Sequence, residues 1–267
     1  MDRPFIASFE SPSQHAAVSD IIRRTSTNPT DVRDAVLDGL ELSFARTILD
    51  LGCGFGFLTE ALAERVAPDA CIVGVDACAA NERPYLDRIA GTGRSCHFVH
   101  RCLERQLDWP DNSFDLIVAS YALYFFPDVL PEVARVLAPH GLFFTVTHTE
   151  SSCGDLLRAV GLDDADARLL TLIRRFSAEN AGPLLGPWFA EVERVDYQNS
   201  LAFDAEQPDD FLKYLRFKLP LLCQDAEAAG ELPEPLARAV RTSLSRQGRV
   251  ILEKNDAAFR CKRPRCP

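Results

Sequence analysis

The chain lacks any apolar run approaching the roughly 20 residues that a membrane-crossing helix requires. Its opening, MDRPFIASFE, has neither the basic start nor the unbroken apolar stretch of a secretory signal. A spanning protein is excluded on this reading, and a cytoplasmic location is expected. Positive charge is scarce: 29 Lys and Arg face 39 Asp and Glu, a net charge of −10. A polyanion therefore meets net repulsion, which disfavours nucleic-acid partners. No C-x-x-C pair occurs among the nine cysteines, at 53, 71, 78, 96, 102, 153, 223, 261 and 266. An odd, scattered set suits neither a disulfide framework nor a zinc knuckle, so reduced and mostly buried thiols are expected. The histidines at 15, 97, 100, 140 and 148 show no i, i+4 pairing, and no metal is expected. Repeats, linkers and low-complexity tracts are absent, and nothing in the sequence sets an oligomeric state.

What remains is a composition of 47% hydrophobic and 25% charged residues over 267 positions, enough to bury a real core. From Pro12 to Leu42 the apolar spacing is helical, broken and recapped at TNPTD. Short apolar runs then recur at Thr47–Asp50, Cys71–Asp76, Cys96–Val99, Phe114–Ala119 and Gly141–Thr147, with helical patterns at Phe57–Val66 and Leu130–Leu137. Unbroken apolar strands alternating with helices predict a parallel sheet covered on both faces, a doubly wound α/β unit. Beyond residue 150, helical spacing runs through Leu156–Val160 and Ala165–Phe176, and a long strand is expected from Val192 to Phe203. Helices at Phe211–Leu222 and Pro233–Ser245 precede a last strand from Arg249 to Phe259 and a frayed basic tail, Arg260–Arg265. The organisation expected is an N-terminal helical lid over 1–45 and an α/β domain over 46–267. Its helical insertions, at about 151–187 and 208–247, would roof the sheet's ligand edge.

Asp50-Leu51-Gly52-Cys53-Gly54-Phe55-Gly56 lies between the first strand and the first helix of that unit, where glycine lets backbone approach a ligand closely. Asp76 closes the next strand, 20 residues beyond Gly56. The dinucleotide fingerprint has the same context but needs glycine where Phe57 stands, and Asp50 would set a carboxylate beside a pyrophosphate. An acid there suits a cationic ligand. Asp76 also has a plainer reading as a helix N-cap. Asp111, Ser113 and Asp115 read as a structural turn that launches the fourth strand.

ILDLGCGFG resembles the first motif of class I S-adenosylmethionine-dependent methyltransferases, and VGVDA resembles their second. WPDNSFDLIVASYALYFFPD and RVLAPHGLFFTV are similar to the later segments of the small-molecule group that includes the quinone-biosynthesis methyltransferases. The resemblance covers about residues 45–150. It implies a Rossmann-like sheet of seven strands, mainly parallel, with one strand inserted antiparallel at the edge. It also implies S-adenosyl-L-methionine as cofactor. Gly52, Cys53 and Gly54 would wrap its methionine part, with Asp50 organising the loop and the ammonium. Asp76 would accept the ribose hydroxyls and Ala77 would pack on adenine. Ser120 and Tyr121 would face the transferred methyl. After the third strand the family commonly has an acid for the adenine amino group. Here the stretch is Arg101-Cys102-Leu103-Glu104, which leaves adenine to the backbone of Cys102 and Leu103 or to Glu104.

The expected reaction is methyl transfer to O, N or C of a small, apolar or aromatic molecule. Alignment can drive much of such a displacement, and an acceptor that loses a proton gains from a base near neutrality. His148, at the end of the fifth strand, is the candidate base, with an unperturbed pKa near 6.5; a strand-end histidine bonded to backbone or solvent is the alternative. Tyr124 could orient a substrate hydroxyl or simply plug the aromatic cluster. His15 reads as lying on a solvated helix face or pointing down from the lid. A catalytically silent cofactor-binding regulator or scaffold is a second reading. A nucleic-acid or protein methyltransferase is a third, and the N/D-P-P-Y/F tetrapeptide used on bases is missing.

Overall fold

In a computed structural model of the chain, residues 9, 11–159, 168–222 and 232–265 are described. The expected helical segment at 160–167, the 223–231 part of the second insertion, and Cys223 and Cys266 lie outside them. The N-terminal helices are α1 (Pro12–Thr25) and α2 (Val32–Leu37). There follow β1 (Thr47–Leu51), α3 (Phe57–Ala63), β2 (Cys71–Asp76), α4 (Glu82–Ala90), β3 (Ser95–His100) and β4 (Phe114–Ser120). Next come α5 (Leu130–Val136), β5 (Leu137–His148), α6 (Glu150–Ala159), α7 (Arg168–Ile173) and α8 (Ala181–Leu185). The chain continues with β6 (Phe189–Tyr197), β7 (Ser200–Asp204), α9 (Pro208–Leu222), α10 (Glu234–Gln247), β8 (Arg249–Glu253) and β9 (Asp256–Pro264).

The main sheet has seven strands in the order β3-β2-β1-β4-β5-β9-β6. β1 to β5 are mutually parallel, and β9 runs antiparallel to both β5 and β6. The unbroken apolar strand sequences follow from burial on two faces, because alternate side chains enter opposite layers. Leu49, Ile117 and Phe143 pack with α1, α5 and the late helices. Their neighbours Ile48, Leu116 and Phe144 pack with α2, α3 and α4. The sequence reading assigned nothing to residues 77–95, where α4 forms the crossover from β2 to β3. Its buried Tyr85 and Ile89 are an i, i+4 pair that marks it, and Pro84 is tolerated in its first turn.

Two expected strands are each divided in the structure. The run Val192–Phe203 breaks after Tyr197, and Arg249–Phe259 breaks at Lys254 and Asn255. β7 and β8 leave the main sheet and pair with each other. Both strand runs switch sheets at one crossing, where the Asn199 N–H donates to Asn255 Oδ1 at 2.9 Å and the Lys254 N–H donates to the Asn199 carbonyl at 2.9 Å. The basic tail is not frayed. β9 lies between two partners and stays paired to Pro264, while the Arg260 guanidinium donates to the carbonyls of Val36 at 3.1 Å and Asp38 at 2.5 Å.

The N-terminal helices are built into this core. Val18 and Ile21 of α1 and Val36 and Leu37 of α2 are buried. Arg24 grips Asp210 of α9 with two hydrogen bonds, 2.9 and 2.6 Å, and the Thr27 N–H donates to the Ser200 carbonyl at 2.8 Å. Ile21→Ala is expected to cost about 2–5 kcal/mol, the range for emptying a tightly packed aliphatic site, read from urea unfolding of the full chain. A loss below about 1 kcal/mol would show α1 to be peripheral.

Candidate active site

The carboxyl ends of β1, β2, β4 and β5 open on a cavity of about 510 Å³. Its first half is the glycine loop. Gly52 has φ +70°, and a Cβ there would stand 2.5 Å from that of Ala122, so only glycine fits the close approach of loop to strand β4's exit. The N–H groups of Gly52 and Cys53 donate to the Val75 carbonyl at 2.8 and 3.1 Å, which ties the loop to β2. The Gly54 N–H donates to Asp76 Oδ2 at 2.9 Å, and Asp76 Oδ1 accepts from the Cys78 N–H at 2.8 Å and Asn81 Nδ2 at 3.2 Å. Asp76 is thereby oriented with lone-pair capacity left for a ligand hydroxyl. Asp50 is buried, bonded to the Thr59 hydroxyl. Burial pushes its carboxyl up to about 7, and the nearby Asp76 adds to the shift.

Asp50, Gly52, Cys53, Gly54, Asp76, Ala77, Leu103, Ser120 and Tyr121 all line this cavity. Cys102 turns its thiol to solvent, while its neighbours Arg101 and Leu103 are on the wall; the contact expected of Cys102 is through its backbone. Alternation along an extended segment turns the side chain between two inward-facing residues outward.

The second half is a buried polar cluster. Asp256, which opens β9, stands opposite His148 in the antiparallel register. Its Oδ1 lies 2.8 Å from His148 Nδ1, and its Oδ2 accepts from the Tyr121 hydroxyl at 2.9 Å and from Lys254 Nζ at 2.5 Å. With Nδ1 engaged by the carboxylate, Nε2 of His148 is bonded to nothing among the described residues and the ring lines the cavity. Tyr121 stacks on that ring at 4.7 Å and Tyr124 at 6.0 Å. Tyr121 holds an unusual φ of +53° for a bulky residue, pinned by its N–H to the Val146 carbonyl at 2.8 Å. Burial raises the Tyr124 phenol, so its hydroxyl is neutral at physiological pH and able to donate. His15 is not on a solvated face. Its ring stacks on Phe217 at 5.3 Å and meets Phe55 edge-on at 4.9 Å, because α1 lies over the cavity.

Sequence reasoning placed His148 here but mistook its titration. Burial, reinforced by the charge of Lys254, lowers His148 to about 4 against the pull of Asp256. It also missed Asp256, Lys254 and Lys218, all on the cavity wall. The one available signal was the pair of charges in Lys254-Asn255-Asp256 directly before an apolar strand.

Residues 48–141 match the family described as Methyltransferase domain. The chain is 36% identical over 98 residues to a nocamycin O-methyltransferase from Saccharothrix syringae, covering 35% of each chain. It is 32% identical over 113 residues to a ubiquinone biosynthesis O-methyltransferase from Idiomarina loihiensis, 41% of this chain and 44% of that one. A demethylmenaquinone methyltransferase from Geobacillus stearothermophilus gives 31% over 114 residues, 41% and 48%. The chain thus spans less than half the length of these curated relatives that it matches. The fold is shared with a phosphoethanolamine N-methyltransferase from Haemonchus contortus, at TM-score 0.54 and 13% identity over 96% of this chain and 58% of that one. It is shared equally with the [4+2]-cyclase SpnF, at TM-score 0.53 and 15% identity over 94% of each. Residues 48–141, which hold the glycine loop and most of β1 to β5, thus match a methyltransferase domain, and the sheet order gives the chain the fold that those methyltransferases and the cyclase share. No helix among the described residues is long and apolar enough to cross a membrane.

A histidine held near 4 in the folded state and near 6.5 when unfolded takes up its proton only on unfolding over that interval. Stability is therefore lost as pH falls from about 6.5 toward 4. By pH 5 the loss attributable to His148 is about 2 kcal/mol. Urea midpoints at pH 7 and 5 should show His148→Gln losing less than wild type by roughly that amount. Equal losses would contradict the shift.

Proposed function

We propose that this protein transfers a methyl group from S-adenosyl-L-methionine to a small, apolar or aromatic acceptor enclosed beneath α1 and α9. The observation that carries the reading is the single cavity running from the glycine loop to the His148–Asp256 pair. The cofactor supplies an electrophilic methyl on a sulfonium. The loop fits its amino-acid part: a Cβ on Gly54 would meet nothing within 4 Å, and buried Asp50 has a hydroxyl partner but no cation among the described residues. A ligand ammonium satisfies that carboxyl. Asp76 holds the ribose, with Ala77 and Leu103 against the adenine.

At the other end Tyr124 and His148 orient the acceptor. Asp256 fixes His148 in the tautomer that leaves Nε2 unprotonated and facing the cavity, ready to receive a proton as the acceptor gains its methyl. The aromatic walls exclude water that would compete for the site. α1, α2 and the described helices of the two late insertions serve as this roof.

Asp76→Ala removes charge-assisted hydrogen bonds and should weaken cofactor binding by roughly 1.5–3 kcal/mol in calorimetry. Unchanged affinity would sink the assignment. Once an acceptor is identified, His148→Gln should slow single-turnover transfer by about 10²-fold, the low end for a general base because a group held near 4 is a weak proton acceptor, with cofactor affinity near wild type. A loss under about tenfold would favour catalysis by positioning alone.

A further inference from the structure

Lys218 is the charge that the proposed reaction has not yet used. Its side chain lines the cavity with the ammonium over two aromatic rings, 5.8 Å from the centroid of Phe217 and 5.9 Å from that of Tyr214. Among the described residues it has no carboxylate at ion-pair distance and no hydrogen-bond acceptor. Lys254, by contrast, is bonded to Asp256 at 2.5 Å. The other titratable groups facing this region do not offset Lys218. His15 and His148 are both held near 4 and are neutral at pH 7, and Cys153 is raised to about 11 and stays a thiol. Asp256 balances Lys254. Among the described residues, this end of the cavity therefore carries one positive charge without a counter-charge in an apolar setting, a costly arrangement unless a ligand completes it.

We infer that Lys218 is the counter-charge for an oxygen anion on the methyl acceptor, so that the site selects phenol- or enol-type hydroxyls over amines and over neutral isosteres. The inference rests on the methyltransferase reading and narrows it. Burial lowers Lys218 to about 8, with the charge of Lys254 adding to the shift, which leaves it mostly an ammonium at pH 7, and an incoming anion favours that form further. The ammonium in turn makes the bound hydroxyl more acidic. Its proton then passes to Nε2 of His148 or to solvent, although that histidine is a weak base. The acceptor oxygen gives a lone pair to the methyl carbon, an O–C bond forms, and the S–C bond breaks with its electron pair left on sulfur. Oxyanion and sulfonium are both neutralised. An amine acceptor would instead retain a positive charge beside Lys218.

Calorimetry of the full chain loaded with S-adenosylhomocysteine, using four benzene probes near neutral pH, tests this. 4-Nitrophenol carries the acidic hydroxyl and reports its own ionisation through the visible phenolate band. 4-Nitroanisole is the neutral isostere, 4-nitroaniline the amine and benzoate the carboxylate. Wild type should bind nitrophenol as the phenolate, about tenfold or more tighter than the anisole or aniline, the worth of one charge-assisted contact. Lys218→Met should abolish that preference while leaving nitroanisole within about twofold, and Lys218→Arg should keep it. Matching thermal midpoints exclude misfolding. Equal binding of amine and phenolate, an undiminished preference in Lys218→Met, or no phenolate binding at all overturns the inference. Tighter binding of benzoate than phenolate overturns the assignment to a ring oxygen. Failure of S-adenosylhomocysteine itself to bind would instead overturn the methyltransferase reading.

Discussion

Asp256 is 2% exposed yet ionised. Burial opposes that charge, and Lys254 together with the hydrogen bond from His148 overcomes it, holding the carboxyl down at about 2. The polar half of the cavity hangs on this one carboxylate. It sits where β9 begins, in register with His148 on β5 and Tyr197 on β6, and it fixes the orientation of the His148 ring and the hydroxyl of Tyr121. Lys254 reaches it from the crossing at which β8 and β9 change sheets. A buried ion pair of this kind contributes little net stability, but breaking it strands a charge at a cost of about 3–5 kcal/mol. The cluster thus specifies geometry more than it stabilises the fold.

The cavity is polarised as a consequence. Its glycine-loop end presents Asp50 and Asp76, and its far end presents Lys218 beside the balanced Lys254–Asp256 pair. On the proposed reading, a cofactor with a cationic head and an acidic acceptor would be oriented by that field before any chemistry, because fixed dipoles and charges in a water-poor site need little reorganisation during reaction. The N-terminal helices matter because they close this space. His15 of α1 and Phe55 of the glycine loop complete the aromatic wall, and α1 is held by the same core as the sheet through Val18 and Ile21.

Much of the sheet was legible because both of its faces are covered, which writes each strand as a short apolar run, and because Gly52 and Gly54 are needed where the loop turns back on β2. The sheet switch at Asn199 and Asn255 was illegible, since a strand that changes sheets keeps the same local pattern. Lys254 and Asp256 fall within the strand expected from Arg249 to Phe259, where nothing local marks them as buried; the burial of Asp256 comes from pairing with His148, 108 residues away. Lys218 reads as one more polar position on α9. His148 was visible as a strand-end histidine, but its lowered pKa depends on neighbours that only the tertiary fold assembles. The backbone of Cys102 was placed by its resemblance to a motif; which side chains of that stretch turn inward, Arg101 and Leu103, the motif did not give.

The central claim is that one cavity holds cofactor and acceptor in line, with the sulfur facing the His148–Tyr121 wall. A crystal structure of the full chain with S-adenosylhomocysteine bound tests it most directly. The account predicts ribose hydroxyls at hydrogen-bond distance from Asp76, the ammonium at the Asp50 end of the loop, and the sulfur turned toward His148. A nucleoside seated elsewhere, or a sulfur directed away from that wall, would contradict it.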